Sequence, residues 1–255
     1  MTTSLKYLSP DLEYPSSDGL PMAESDPARD YLVYGVESLT NYFQNQSEVY
    51  VSGNLFIYYE QGNPKAVVAP DVFVVIGATN KKRLSYKVWE ENYKMPDFVL
   101  EVTSKSTVSE DQGTKKGLYA YLGIKEYFQY DPTSDYLKPS LQGFRLIEGN
   151  YLPILSQEKE EGLCIFSQVL GLDLCRQDDG AMRFYQTTPR VKLLSHQELA
   201  QAKRDAEDAQ KQAEIARQQA EIARQRAEVE KLAEQQRADK LADKLRQLGL
   251  DPDSF

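Results

Sequence analysis

The C-terminal fifth of the sequence limits most strongly what this chain can fold into. From Leu199 to Leu248 it consists almost wholly of Ala, Gln, Glu, Lys, Arg, Asp, Ile, Val and Leu. Ser195 and Glu198 form a capping-box pattern that starts a helix, and Gly249 is typical of a helix end. Such a helix would be roughly 80 Å long at ~1.5 Å per residue. No small domain buries that length, so the segment must be separate from the core.

Composition therefore divides the chain into four parts. We predict an irregular N-terminal arm over 1–22, a globular α/β domain over 23–190, a long Ala-rich helix over 195–248 and a short tail over 249–255. Nearly all the aromatic, proline and β-branched residues lie in the globular part, which has the length for one hydrophobic core.

The long helix carries a heptad pattern. Alternating steps of three and four residues connect Leu199, Ala202, Ala206, Ala209, Ala213, Ala216, Ala220, Ala223 and Ala227. Ile215, Ile222 and Val229 form another stripe every seven residues, and the segment QAEIARQ occurs twice. The pattern predicts a coiled-coil-type helix that makes a homo-oligomer through residues 199–248. A helix that binds another protein, or a solvated single helix held by i,i+4 charge pairs, are the alternatives.

Charge and residue usage exclude several classes of protein. The formal net charge of −9 argues against a protein held to nucleic acid mainly by bulk charge. Two cysteines, Cys164 and Cys175, cannot form a four-thiolate zinc site, and His196 is the single histidine. No apolar run reaches the ~18–20 residues that cross a bilayer, and no secretory pattern opens the chain. We expect a cytoplasmic protein with reduced cysteines and no membrane contact.

Hydrophobic patterning predicts a mixed α/β arrangement in the globular part. A helix is expected over 26–44 and another over 107–122. A hairpin is expected from the strand-like pieces 49–51 and 55–59. Three strongly apolar runs predict buried strands at 71–76 (DVFVVI), 98–103 (FVLEVT) and 126–130 (EYFQY), and weaker strand patterns lie around 143–147, 151–154 and 181–186.

Two carboxylates interrupt the apolar strands. Glu101 lies inside FVLEVT, and Asp71 opens DVFVVI directly after Pro70. A buried charge is costly unless it is paired or binds a metal. Asp97 also follows a proline, but it is four residues from Glu101, about 13 Å along a strand, which is too far to share one ion. Asp71 and Glu101, on neighbouring strands, are therefore the predicted metal-binding pair, with the carbonyl oxygen of Val102 as a further ligand.

If this pair binds a metal ion for a hydrolysis reaction, a lysine should lie nearby to position the water molecule that attacks the substrate. Helical spacing places Asp111, Lys115 and Tyr119 on one face of the helix after FVLEVT, so Lys115 is the predicted lysine. Thr103 is a supporting polar neighbour of Glu101, and Lys105 and Lys116 are alternative lysines. The chain has no phosphate loop, dinucleotide fingerprint or nucleophile elbow. The structural alternative is that Glu101 is a paired buried acid and that Asp111 and Lys115 form a surface ion pair.

The same stretches resemble the Uma-two family of restriction endonucleases. The resemblance rests on VVAPDVFVV, PDFVLEVTSKST and DQGTKKGLYAYLGIKEYFQYDP, and it extends over about residues 20–190. It implies a restriction-endonuclease-like three-layer α/β/α core around a mixed sheet. It also implies Mg²⁺-dependent hydrolysis of phosphodiester bonds in DNA, with Mn²⁺ as a substitute.

Carried onto this chain, the resemblance makes Asp71 and Glu101 the metal-binding acids. In the restriction-endonuclease signature a lysine stands two residues after the second acid, and this chain has Thr103 there. The lysine of the family's helix motif falls on Lys115, between Asp111 and Tyr119. Glu24 is a further candidate acid. A basic patch of Lys81, Lys82, Arg83 and Lys87 offers phosphate contacts. The alternative function is a catalytically inactive nuclease fold that assembles through its C-terminal helix.

Overall fold

The computed structural model describes residues 13–16 and 25–247. In chain order its helices and strands are α1 (Asp26–Tyr42), β1 (Val49–Ser52), β2 (Ile57–Tyr58), β3 (Val67–Val68), β4 (Val72–Ile76), β5 (Tyr86–Lys87), a 3-10 turn (Val88–Glu90), β6 (Phe98–Val102), a π-helical turn (Glu110–Thr114), α2 (Lys115–Tyr121), β7 (Glu126–Tyr130), β8 (Leu141–Ile147), β9 (Asn150–Pro153), β10 (Gln157–Lys159), β11 (Gly162–Ser167), β12 (Leu172–Arg176), β13 (Met182–Thr187), β14 (Arg190–Lys192) and α3 (His196–Gln247).

A mixed six-stranded sheet forms the centre of the globular part, in the order β1-β4-β6-β7-β8-β9. The strands β6 and β7 are parallel and joined through α2, whereas β4 and β6 are antiparallel. The apolar runs predicted at 71–76, 98–103 and 126–130 form β4, β6 and β7. The last two strands of the sheet, β8 and β9, lie near the weaker strand patterns predicted around 143–147 and 151–154. The strands β4, β6 and β7 are buried on both faces because other layers cover them.

Each face of the central sheet packs against a helix and a smaller sheet. Leu39 of α1 packs on one face together with residues of a five-stranded antiparallel sheet, β10 to β14. Tyr119 of α2 packs on the other face beside a three-stranded sheet of β3, β2 and β5. The predicted mixed α/β layering is confirmed, and each outer layer contains strands as well as a helix.

The hairpin predicted from 49–51 and 55–59 is wrong. The strand β1 pairs with β4, and β2 pairs with β3 and β5. At the bend between them, a Cβ atom on Gly53 would lie 2.2 Å from the carbonyl oxygen of Asp71. At Gly53 the chain therefore passes in close contact with the backbone of Asp71, just before β4, instead of turning back to form a hairpin. Glycine permits this contact because it has no side chain.

The expectation of reduced cysteines is also wrong for this structure. Cys164 of β11 and Cys175 of β12 are directly opposite in register and form a disulfide. Both are buried. The pairing results from strand register, which brings two residues separated by 11 positions side by side.

The C-terminal helix α3 is a unit by itself, since the chain separates into compact units at 1–196 and 197–255. The predicted long helix is confirmed from His196 to Gln247, and none of its described residues is buried. Its predicted end at Gly249 lies outside the described residues. Among the residues that the structure describes, no helix combines the length and apolar composition needed to cross a bilayer.

Candidate active site

The candidate site lies where β4 begins and β6 ends. Val72 of β4 is opposite Leu100 of β6 in antiparallel register, so the preceding Asp71 comes beside Glu101. The backbone nitrogen of Asp71 is 3.4 Å from Oε2 of Glu101. Oδ2 of Asp71 accepts a hydrogen bond of 2.7 Å from the backbone N–H of Val102. The strand pairing therefore holds both acids at one point.

The helical segment after β6 contributes a lysine and a tyrosine to Glu101. Nζ of Lys115 lies 3.1 Å from Oε2 of Glu101 and 3.1 Å from Oδ1 of Asp111. The hydroxyl of Tyr119 donates a 2.5 Å hydrogen bond to Oε1 of Glu101. Glu101 is 0% exposed and Asp111 is 1% exposed. Two buried carboxylates thus contact one ammonium group, and Asp71 lies beside the first of them.

A π-helical turn from Glu110 to Thr114 precedes α2 and carries Asp111. Such turns are rare and occur frequently at functional sites, because the wider turn redirects side chains and backbone carbonyls. The hydroxyl of Tyr127 on β7 donates to the backbone carbonyl of Asp111 at 2.8 Å. Nε2 of Gln129 in turn donates to the Tyr127 hydroxyl at 3.0 Å. The hydrogen bonds of Tyr127 and Gln129 therefore hold the backbone of the π-helical turn in place.

The ionisable groups of the cluster shift one another's pKa. Burial raises the pKa of Glu101 well above its ordinary value, and the charges of Asp71 and Asp111 raise it further, against Lys115 and Tyr119. Burial likewise raises the pKa of Asp71, although the N–H of Val102 and the charge of Lys115 lower it. Burial alone would lower the pKa of Lys115, but Glu101, Asp111 and Asp71 together raise it. The lysine stays protonated, whereas burial opposes ionisation of Glu101 and Asp71.

A cleft of about 700 Å³ opens beside this cluster. Asp71, Val102 and Thr103 line it at the end of the central sheet, and the start of α1 forms the opposite wall. Thr103 is 1% exposed, and its Oγ1 has no hydrogen-bond partner among the described residues. The cleft gives a ligand direct access to Asp71.

The structure brings together five of the predicted site residues: Asp71, Glu101, Asp111, Lys115 and Tyr119. Val102 contributes its N–H to Asp71, and Thr103 follows Glu101 at the cleft wall. Glu24 lies outside the described residues. Of the alternative lysines, Lys105 lines the cleft, whereas Nζ of Lys116 lies over the ring of Phe144, 3.4 Å from its centre.

Other polar residues singled out in the sequence have structural partners. Asp97 accepts from the N–H of Ile76 and pairs with Lys125 at 2.6 Å, at the other end of β6 from the site. In the basic patch, Lys81 and Arg83 both pair with Glu91, and Lys87 pairs with Glu90. These two glutamates offset two of the patch's four positive charges.

Sequence reasoning missed Tyr127 and Gln129. Both lie in the buried run EYFQY, at positions separated by two residues, and Gln129 is directly opposite Glu101 in the parallel register of β6 and β7. A glutamine in a fully buried strand needs hydrogen-bond partners. That signal could have identified Gln129, but its partner could not be named without the fold.

A crystal structure described as "a putative nuclease belonging to DUF820" from Anabaena variabilis is similar to this chain with a TM-score of 0.43 and 11% identity, over 59% of this chain and 76% of that one. A search of curated proteins finds no match. The profile of the Uma2 family, described as "Putative restriction endonuclease", matches residues 36–174, which is more than half of the chain and includes Asp71, Glu101 and Lys115. The chain therefore belongs to the Uma2 family.

Proposed function

We propose that this protein is a Mg²⁺-dependent endonuclease that hydrolyses phosphodiester bonds of DNA. One observation carries the proposal. Acids from two adjacent strands and a lysine from α2 converge, with Lys115 Nζ 3.1 Å and the Asp71 nitrogen 3.4 Å from the same oxygen of Glu101. Membership of a family described as restriction endonucleases supports the reaction class.

The donor set fits a hard divalent cation. Asp71, Glu101 and Asp111 supply carboxylate oxygens, which Mg²⁺ and Mn²⁺ prefer. Oδ2 of the buried Asp111 has no hydrogen-bond partner in the described part of the chain, and Oδ1 contacts only Lys115. The cluster holds three carboxyl groups and one ammonium group, so added positive charge would stabilise it. Asp71 and Glu101 would hold the ion, with the carbonyl oxygen of Val102 as a further ligand.

The bound cation would supply Lewis-acid stabilisation of the charge that develops on the phosphate oxygens. The chain's own residues have separate roles. Lys115, held by Glu101 and Asp111, orients the attacking water or a phosphate oxygen through its ammonium group. Tyr119 fixes the rotamer of Glu101 through Oε1, and Tyr127 fixes the backbone that carries Asp111. Rigid support of this kind maintains a site's geometry.

Substitution of the predicted ligands tests the proposal. In cleavage assays on plasmid DNA with Mg²⁺, Mn²⁺ or EDTA, Asp71→Asn, Glu101→Gln and Lys115→Met should each lower the rate at least ~100-fold, the range for loss of one transition-state contact. Asp97→Asn is the matched control, because this aspartate also follows a proline but lies at the other end of β6. Titration calorimetry should detect Mn²⁺ binding by the wild type and its loss in Glu101→Gln.

Equal cleavage by the wild type and Glu101→Gln would refute the site. Absence of both cleavage and metal binding in the wild type would instead favour the alternative function, an inactive nuclease fold that works through assembly. Thermal melting of each variant separates a chemical defect from unfolding.

We also propose that α3 joins copies of this chain into a homo-oligomer. The observation that favours it is the exposure of Ile215, Ile222 and Val229, each more than half exposed at seven-residue spacing. At about 100° per residue, this stripe lies on a different side of the helix from the alanine seam, rather than beside it. A single solvated helix gains nothing from such a stripe, whereas a second copy would cover it.

A further inference from the structure

The loop that follows β6 has an unusual composition for its position on the cleft. Its residues 103–107 read Thr-Ser-Lys-Ser-Thr, and all of them line the cleft that contains Asp71. Four carry a hydroxyl group and the fifth carries an ammonium group. The loop therefore presents hydrogen-bond donors and one positive charge next to the carboxylate cluster.

The hydroxyl groups of the loop lie close to one another. Oγ of Ser104 is 3.0 Å from Oγ of Ser106 and 3.3 Å from Oγ1 of Thr107. The backbone N–H of Ser104 donates to Oγ1 of Thr107 at 3.0 Å. Because hydroxyl hydrogens rotate, these groups can donate to an incoming anionic oxygen without moving the backbone.

Lys105 supplies the charge. It is exposed, and within the described residues the structure gives it no ion pair or hydrogen bond. Of the described residues that line the cleft, Lys105 is the one with a basic side chain. Lys115, by contrast, is engaged by Glu101 and Asp111. A substrate anion approaching the acidic cluster therefore meets Lys105 as the available cation.

Two further features point to an anion at this place. The buried Oγ1 of Thr103 has no partner among the described residues, although an unmade hydrogen bond in a buried position costs free energy. Ser25, Pro27 and Ala28, at the start of the 17-residue helix α1, also line the cleft. The N–H of Ala28 donates to Ser25 Oγ and Pro27 has no N–H, so these residues offer an anion only the positive end of the helix dipole.

We propose that loop 103–107 binds a backbone phosphate of the nucleic-acid substrate beside the reacting centre, with Lys105 as its ionic contact and the loop hydroxyls as donors. The identity of the substrate rests on the proposed function, but phosphate binding itself requires no cleavage. A phosphate contact carries no sequence information, so the loop sets the position of the strand and not its sequence.

Metal-free binding of DNA by the full-length protein tests this proposal. A fluorescein-labelled 30-base-pair duplex and its single strand are titrated in EDTA at several salt concentrations, with anisotropy as the readout. Lys105→Ala should weaken binding about five- to tenfold and lower the slope of log K against log salt by about one. Lys105→Arg should restore both. Lys65→Ala, an exposed lysine that neither lines the cleft nor belongs to the basic patch, is the matched control and should behave as the wild type.

Unchanged affinity and slope in Lys105→Ala would overturn the proposal, as would an equal loss in Lys65→Ala or no salt-dependent binding by the wild type to either DNA. Cleavage assays on the same proteins separate this proposal from the endonuclease. Binding through Lys105 without any cleavage would refute the nuclease and leave the phosphate site standing. Cleavage with the same KM in Lys105→Ala and wild type would refute the phosphate site and leave the nuclease standing.

Discussion

Tyr119 donates its hydroxyl hydrogen to Oε1 of Glu101, and both side chains are fully buried. This bond lowers the pKa of Glu101, against the larger effect of burial, and fixes which oxygen faces Lys115. The pair therefore links the interior of α2 to the proposed metal ligand.

Tyr119→Phe should weaken Mn²⁺ binding about 10- to 100-fold, the usual cost of removing a group that supports a metal ligand. The free energy of unfolding should fall by about 1–3 kcal/mol, because a buried carboxylate oxygen loses its donor. Calorimetry and urea unfolding measure the two effects. Tyr121→Phe, on the same helix but 84% exposed, is the control. A Tyr119→Phe protein with wild-type Mn²⁺ affinity would contradict the role given to this tyrosine.

Thr103→Val should stabilise the fold and impair the function. The substitution replaces a buried hydroxyl that lacks a partner with a methyl group of similar size, so the free energy of unfolding should rise by about 1 kcal/mol. That corresponds to about 2–4 °C in Tm for a domain of this size. DNA affinity in EDTA should fall severalfold. Thr40→Val, at an exposed position of α1, should change neither quantity. Lower stability in Thr103→Val would mean that the hydroxyl is a structural group.

Asp131 makes stability depend on pH below neutrality. Burial alone would raise its pKa, but the N–H groups of Tyr136, Leu137 and Thr133 and the Thr133 hydroxyl lower it below its ordinary value. Its carboxylate form therefore stabilises the folded chain above the unfolded pKa of about 3.9, and this contribution is lost as the pH falls through the lower folded value.

Asp131→Asn should reduce the free energy of unfolding by about 1–3 kcal/mol at pH 7, because an amide can accept at only one of the two oxygen positions. The difference from the wild type should shrink below about pH 4, where the wild-type carboxylate takes up a proton. Urea unfolding at pH 7, 4 and 3 measures this convergence. Asp135→Asn, at an exposed position in the same loop, serves as the control. If the difference in the free energy of unfolding between Asp131→Asn and the wild type grew as the pH fell, the pH dependence would have the opposite sign and this mechanism would be excluded.

Ile222→Lys should lower the oligomeric state of the full-length protein. A charge in the middle of the Ile215–Ile222–Val229 stripe would have to be buried between helices, which is unfavourable. Sedimentation velocity at several protein concentrations measures the change. Gln210→Lys lies about 120° away around the helix, on its charged side, and should leave the mass unchanged. A wild type that is monomeric at the highest concentration would refute self-association through α3.

The central strands and the site acids were predictable because each has a local signal. The runs that form β4, β6 and β7 are apolar throughout, and Asp71 and Glu101 stand out against them. Helical spacing was enough to place Asp111, Lys115 and Tyr119 on one face. The restriction-endonuclease-like core inferred from the same motifs is confirmed by the family match.

The remaining features depend on contacts between distant segments. Of the sheet β10 to β14, only β13 was anticipated, by the weak pattern around 181–186. The other four strands are short, and their apolar residues are buried only because the sheet covers one face of the central sheet. The pairing of β1 with β4 depends on the backbone contact between Gly53 and Asp71, which no local pattern reveals. The disulfide likewise follows from the register of β11 against β12.

Tyr34 connects α1, the helix that lines the cleft, to the C-terminal end of the globular part by hydrogen bonds. Its hydroxyl accepts from the N–H of Phe184 and donates to the carbonyl oxygen of Leu193, at 2.9 Å each. The segment shared with the family stops at residue 174, in the middle of β12, and so leaves out both partners. An excised globular fragment, or a chimera that exchanges the C-terminal helix, would therefore have to keep the chain through Leu193 to retain the cleft wall in its native position.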